Sequence, residues 1–226
     1  MKVLLFGATG MVGTGVLLEC LDDPRVTEVV SITRRPGGRT HPKLREVIHG
    51  DFFDYGQITS DLAGAGACLF TLGVSAAGKS EAEYARLTYD LTLSAAGAVA
   101  KVSPDCVFCY VTGAGTDETE QGRFMWARVK GKTENALLRL PFRAAYMFRP
   151  GYIQPRRGAT SSTPLYRALY VFVAPLYPLL ERLVPRHLTT TEKVGRAMIE
   201  AAVAGAPSPR LEVADINALA ARHPAS

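Results

Sequence analysis

One junction constrains this chain more than any other stretch. KVLLF (2–6) runs straight into GATGMVG (7–13), so that Gly7, Gly10 and Gly13 separate an apolar run from a periodic one. A nearly continuous apolar run of this length reads as a central parallel strand, covered on both faces. The stretch at about 11–21 carries Val12/Val16 and Leu17/Leu21 one turn apart and stops at Asp22-Asp23-Pro24, so it reads as a helix. Glycines at such a turn let the backbone reverse tightly and approach a pyrophosphate, whose charge sits on the helix N-terminus and its N–H groups. The strand before and the helix after turn a weak glycine triplet into a dinucleotide-binding signature.

The rest of the chain repeats that alternation. Strand-like runs recur at EVVSIT (28–33), REVIH (45–49), ACLFTL (67–72), CVFCYVT (106–112) and AAYMFR (144–149). Between the fourth and fifth runs, Ser80 and Glu83 form an S-x-x-E capping box. Tyr84, Leu87, Leu91, Ala95, Ala98 and Val102 continue as a helical stripe to Pro104. A further helix is expected over about 122–139. The class is therefore α/β: a Rossmann-type, doubly wound parallel sheet with helices on both faces and right-handed crossovers. After Pro150 the rhythm changes. Thr163-Pro164 reads as the start of a helix rich in Leu and Tyr, followed by a helix over Thr191–Ala204, a short strand at RLEV (210–213) and a terminal helix after Asp215. Residues 1–155 are expected to form the NAD(P)-binding Rossmann domain. Residues 156–226 are expected to form a small, mainly helical substrate or lid subdomain packed on it.

Composition excludes several classes. At 226 residues, with 47% hydrophobic and 21% charged residues, the chain suits an ordered globular domain rather than a disordered one. The net charge of +5 is spread over scattered arginines without a basic helix or aromatic-basic interleaving, which argues against nucleic acid. MKVLLFG is too short in its apolar run for a secretory signal. ALYVFVAPLYPLL (168–180) falls short of a bilayer span and carries two prolines, so no integral membrane segment is expected. That apolar stretch, within 165–184, reads as a lid or a homo-oligomer face. Cys106 and Cys109 sit three apart in a strand, pointing to opposite faces, so no metal site is expected. Cys20 and Cys68 read as core residues. Four such cysteines suit a reducing compartment, and the expected location is cytoplasmic.

The end of the second strand chooses between cofactors. An NAD site puts Asp or Glu there for the ribose hydroxyls. SITRRPGG offers Arg34 and Arg35 and no nearby acid, and guanidinium groups suit a 2′-phosphate, so NADP(H) is favoured over NAD(H). In GDFFD, Asp51 lies where a carboxylate could accept from the adenine amino group, a spacing that also suits an ordinary turn aspartate. RFMWARVKGKTENAL (123–137) puts the sole tryptophan, Trp126, four residues before Lys130, on one helix face. Alone, that pair reads as packing beside a solvated lysine.

Taken with the glycine motif, W-x-x-x-K on the helix after strand five resembles the atypical, extended-like short-chain dehydrogenases/reductases. The closest likeness is to the small NAD(P)H-binding branch that includes the Tat-interacting proteins. GATGMVG, TRR, GDFFD, ARVKG and RPGYI fall in the family's order over nearly the whole chain. The resemblance implies a nicotinamide cofactor and a small-molecule substrate. It puts Gly7, Thr9, Gly10, Met11, Val12 and Gly13 in the phosphate loop and Arg34 and Arg35 at the 2′-phosphate. Asp51 and Phe52 fall at the adenine edge, and Leu72 and Gly73 after strand four. Pro150, Gly151, Tyr152 and Ile153 border the nicotinamide amide. Lys130 holds the nicotinamide ribose, and Thr112 stands for the upstream catalytic hydroxyl, with Thr116 a looser choice.

Trp126 is the departure. It occupies the place of the family's tyrosine, whose phenol acts as general acid or base beside the lysine. An indole N–H donates a hydrogen bond but does not release its proton near neutral pH. Tyr84, Tyr89, Tyr110, Tyr152 and His187 are the other candidate donors. Two readings of different class follow: an oxidoreductase on a small carbonyl or alcohol with catalytic residues Lys130, Thr112 and Trp126, or a catalytically silent NADP(H)-binding sensor or interaction module. An isomerase using the cofactor transiently has the least support.

Overall fold

In the computed structural model the described residues are 1–160 and 184–223, with Ala174, Tyr177, Leu180 and Arg182. The helix expected from Thr163, and most of the apolar 165–184 stretch read as a lid or oligomer face, lie outside them.

Seven parallel strands form the central sheet: β1 (Lys2–Phe6), β2 (Glu28–Thr33), β3 (Leu44–Ile48), β4 (Ala67–Phe70), β5 (Val107–Val111), β6 (Ala144–Arg149) and a strand from Arg210 to Glu212, numbered β9. Their order is β3-β2-β1-β4-β5-β6-β9, with β1 between β2 and β4. The alternating side chains of β1 explain its apolar run. Val3 and Leu5 enter the core on one face and Leu4 and Phe6 the core on the other. The first core is closed by α1 (Met11–Asp22), α6 (Thr191–Ala204) and α7 (Val213–Arg222), and the second by α4 (Leu91–Val102). Cys106 and Cys109 fall in opposite cores, both fully buried.

Three details differ from the sequence expectation. The helix after Ser80 is not one regular rod. Ser80 Oγ does accept from Glu83 N–H, but α3 (Glu81–Ala85) passes through a π turn (Arg86–Asp90) into α4. The extra residue shifts the register, so Tyr84, Thr88 and Thr92 are buried while Leu87 and Leu91 are only half-buried. The helix α5 spans Met125–Leu137, shorter than expected, because residues before it turn back onto its side. The terminal helix starts at Val213, where Glu212 and Asp215 cap each other's backbone.

The expected division at 155/156 does not mark a gap in the core. The strand β9 pairs with β6, and Leu211, Ile216 and Leu219 pack in the same core as Val3 and Leu5. A second, two-stranded parallel sheet joins β7 (Tyr152–Gln154) to β8 (Leu188–Thr190) and ties that segment to the loop after β6. Between β3 and β4 a short helix, α2 (Thr59–Leu62), completes the elements named here. Among the described residues no helix is long and apolar enough to cross a membrane.

Candidate active site

The glycine loop is closed on itself. Gly7 has φ +87°, and a Cβ on Gly13 would sit 1.9 Å from the Gly7 carbonyl oxygen, so neither position has room for a side chain. Gly10 N–H donates to Gly7 O at 2.9 Å, and Thr71 Oγ1 donates to Phe6 O at 2.7 Å, fastening the loop to the end of β4. Gly10 is the N-cap of α1 and brings no capping side chain, nor is there an acid in the first turn. The positive end of α1 therefore meets the cleft without a protein anion on it, with Gly10, Met11 and Val12 in the wall. This cradle fits a pyrophosphate. Gly13 supports it from behind, and Thr9 lies on the outer side with Gly37, Arg39 and Glu46 rather than in the cleft.

Two hollows meet at Leu72, Gly73 and Val74. The first, about 400 Å³, has Arg34, Asp51 and Phe52 in its wall, as the sequence predicts, together with Leu87 and Leu91. Phe52 is 7% exposed and packs edge-on against Phe6, so it is as much core as binding surface. Asp51 Oδ1 accepts from Phe53 N–H at 2.9 Å, the bond of a turn aspartate. Arg35 stays outside this hollow; its carbonyl receives the Thr33 hydroxyl at 2.8 Å. Leu87 and Leu91 were expected in the core stripe. The π turn swings them to the hollow, and no feature of the apolar spacing announces it.

The second hollow, about 840 Å³, brings Thr112, Trp126, Lys130, Pro150, Gly151 and Ile153 together. Tyr152 is not in its wall: the phenol donates to Gln154 Oε1 at 2.8 Å. The indole of Trp126 is half-buried and lies over Gly115. Lys130 Nζ donates to the Thr112 carbonyl oxygen. Burial lowers its ammonium to about pKa 8, against a smaller opposing pull from Glu134. The Thr112 hydroxyl does not serve the cleft. Oγ1 donates to Glu134 Oε1 at 2.8 Å and also lies 3.1 Å from Phe148 O, so the expected catalytic hydroxyl is turned into the interior. Thr116 Oγ1 likewise donates to Gly113 O, at 2.7 Å.

The remaining candidate donors are elsewhere. Tyr84 and Tyr110 are buried phenols whose ionisation burial pushes up. Tyr89 lies under the Lys132 ammonium at 4.6 Å, and His187 is exposed in the turn before β8. Sequence reasoning missed Glu134, fully buried one turn beyond Lys130, which binds Arg149 through Nη2 at 2.6 Å and Nε at 3.0 Å. The only signal in the sequence was the four-residue spacing from Lys130 to an acid.

Comparison with known proteins agrees with this architecture. A short-chain dehydrogenase/reductase of Saccharomyces cerevisiae superposes with a TM-score of 0.68 at 12% identity, covering 99% of both chains. The fold is that of the short-chain dehydrogenases/reductases. The Bordetella bronchiseptica enzyme WbmH, solved in complex with NAD+, gives 0.59 at 18% identity over 90% of this chain and 72% of its own. In sequence, "Protein fmp52, mitochondrial" of Emericella nidulans is 28% identical over 207 residues, covering 88% of this chain and 86% of the relative. No family model matches the chain. The cytoplasmic location expected from the cysteines is corrected by these relatives. That protein and the FMP52 protein of Candida albicans are both named as mitochondrial. Reduced buried cysteines report shelter from oxidation, not an address.

Proposed function

We propose that the chain is an NADP(H)-dependent oxidoreductase acting on a small carbonyl or alcohol, of the atypical, extended-like short-chain type. One observation carries the reading: the two hollows share Leu72, Gly73 and Val74, so a single groove runs from Arg34 past the start of α1 to Lys130. That is the path of a dinucleotide laid across the C-terminal ends of β1, β4 and β5, at the switch point of the sheet. When bound, the nicotinamide would supply two electrons at the Lys130 end. Pro150, Gly151 and Ile153 would border its amide, and Arg34 in the wall, with Arg35 beside it outside that hollow, would present guanidinium charge to the 2′-phosphate. Both arginines are exposed and lack an ion-pair partner among the described residues, which favours NADP(H). The relatives' names favour a mitochondrial address for this chain as well.

Trp126 favours a second reading, a silent NADP(H)-binding module, because an indole offers no titratable proton. Titration calorimetry with NADPH and NADH tests the shared premise. The reading expects NADPH to bind tighter by about tenfold or more, roughly 1.4 kcal/mol. Equal affinities would remove the NADP(H) preference, and no binding of either would remove the function. Oxidation of NADPH over a panel of small aldehydes and ketones then separates enzyme from module.

A further inference from the structure

We infer that Lys130 itself donates the proton to the substrate oxygen in this cleft, in the role a phenol would otherwise fill. The inference rests on the dinucleotide reading above and deepens it.

Among the described residues in the wall of the second hollow, Lys130 is the only one with a titratable side chain. Its three hydroxyls are Thr71, Thr112 and Ser75. Thr71 Oγ1 donates to Phe6 O and Thr112 Oγ1 to Glu134. Ser75 Oγ receives Ala77 N–H at 3.2 Å on an exposed loop. A serine hydroxyl with no base beside it is too weak an acid to protonate an alkoxide's precursor in step with reduction. Trp126 has no proton to give.

Lys130 Nζ has three N–H bonds, and the Thr112 carbonyl takes one. Gly113 carries no side chain where a Cβ would stand in van der Waals contact with Nζ, 3.9 Å away, so no side chain covers the amine from that residue. The nearby acid does not pin the ammonium in its charged form. Glu134 is fully buried one turn along α5, but its oxygens already receive Arg149 and the Thr112 hydroxyl. Burial desolvates the amine and makes it a stronger acid, and the indole that shares the hollow supplies no competing acid.

The balance is simple. When bound, reduced nicotinamide would supply one hydrogen nucleus together with two electrons, in total, to the carbonyl carbon, and the C=O π pair would move onto oxygen. That oxygen takes a proton from Nζ, giving an alcohol, an oxidised nicotinamide and a neutral amine, which water reprotonates.

Two measurements decide it. Competitive acetylation of the cofactor-free protein with acetic anhydride across pH, read by mass spectrometry, reports the Lys130 titration directly. Half-maximal labelling near pH 8 is expected for Lys130, and a profile like that of the exposed lysines overturns the inference. The second measurement compares wild type with Lys130→Arg, whose guanidinium keeps charge and donors but does not release a proton. With 4-nitrobenzaldehyde and NADPH, wild-type kcat should fall about tenfold per pH unit above the amine's pKa. The Lys130→Arg variant should lose about 100-fold or more in kcat and lose that alkaline limb. Its NADPH affinity by calorimetry should stay within about tenfold. Retention of the limb, or of kcat, overturns the inference, as does a wild type that binds NADPH yet does not reduce the aldehyde. A chain that binds no NADPH fails the reading beneath it instead.

Discussion

The Arg149 guanidinium holds the Glu134 carboxylate at two points, Nη2 to Oε2 at 2.6 Å and Nε to Oε1 at 3.0 Å. The acid's side chain is fully buried and the arginine's 10% exposed, and the pair ties the last turn of α5 to the end of β6. Removing one partner strands the other charge in the interior. Arg149 would keep Glu212 and Glu118, both half exposed, at 3.3 and 3.4 Å. Glu134→Ala should therefore cost toward the lower end of the range for a broken buried pair, about 3 kcal/mol. Urea unfolding measures it, and a loss below about 1 kcal/mol would show that the pair does not stabilise the fold.

A half-buried lysine whose charge is held near the point of loss leaves a thermodynamic trace. Unfolded, Lys130 titrates at its ordinary value, and folded at about 8. Between those values the unfolded chain binds the extra proton, so folding becomes more favourable as pH rises. Below about pH 8 both states are protonated and the full cost of burying the ammonium is present. Relative to Lys130→Met, wild type should gain up to about 1.4 kcal/mol per pH unit from about pH 8 to 10. Denaturation of both proteins at several pH values gives the difference; a flat difference would mean that the amine is solvated.

Among the described residues Arg34 is the one cation in the wall of the first hollow, and none of them forms an ion pair with it. Charge-assisted bonds to a phosphate are worth about 1.5–3 kcal/mol. Arg34→Ala should then weaken NADPH binding about 10- to 100-fold and leave NADH within a few-fold. Equal losses for the two cofactors would assign Arg34 to the adenine ring or to the loop rather than to the 2′-phosphate.

How much of this was legible in the sequence depends on which force sets each feature. The strands β1, β2 and β6 and the helix α6 fall where the apolar pattern puts them, because burial dictates both. The glycine loop is legible for the same reason that Gly13 tolerates no side chain. Leu87 and Leu91 were misplaced because a π turn changes the helical period locally, which an apolar stripe does not encode. Thr112, expected as the last residue of β5, follows directly on it, and its hydroxyl points the other way from the sequence expectation. Its hydroxyl follows Glu134, a partner 22 residues away that only the fold brings near. The direction of the Tyr152 phenol, which donates to Gln154 within β7, was equally absent from the apolar pattern.

Gly131, next to Lys130, fixes where α5 sits. A Cβ there would stand 1.7 Å from the Asp117 carbonyl oxygen, and Asp117 N–H donates to Ala127 O at 3.1 Å. The loop from Gly113 to Gly122 is thus laid directly on the helix. Gly131→Ala must push the two apart, at a cost of about 1–3 kcal/mol. The same shift moves Lys130 relative to Gly113, so NADPH affinity should fall along with Tm. A variant that unfolds at the wild-type temperature would show that the contact is soft.

The sole tryptophan gives the most direct view of the cleft. Trp126 shares the second hollow with Lys130 and is only half-buried, so a nicotinamide seated there lies against or near the indole. Reduced nicotinamide absorbs where indole emits, and transfer falls steeply with distance. NADPH should quench the Trp126 emission and raise nicotinamide emission under indole excitation, whereas NADP+ should quench without sensitised emission. In Arg34→Ala the same quenching should appear at saturation but at a higher NADPH concentration, because the defect lies at the far end of the groove. Unquenched emission at an NADPH concentration that calorimetry shows to be saturating would put the nicotinamide outside this hollow, and with it the role assigned to Lys130.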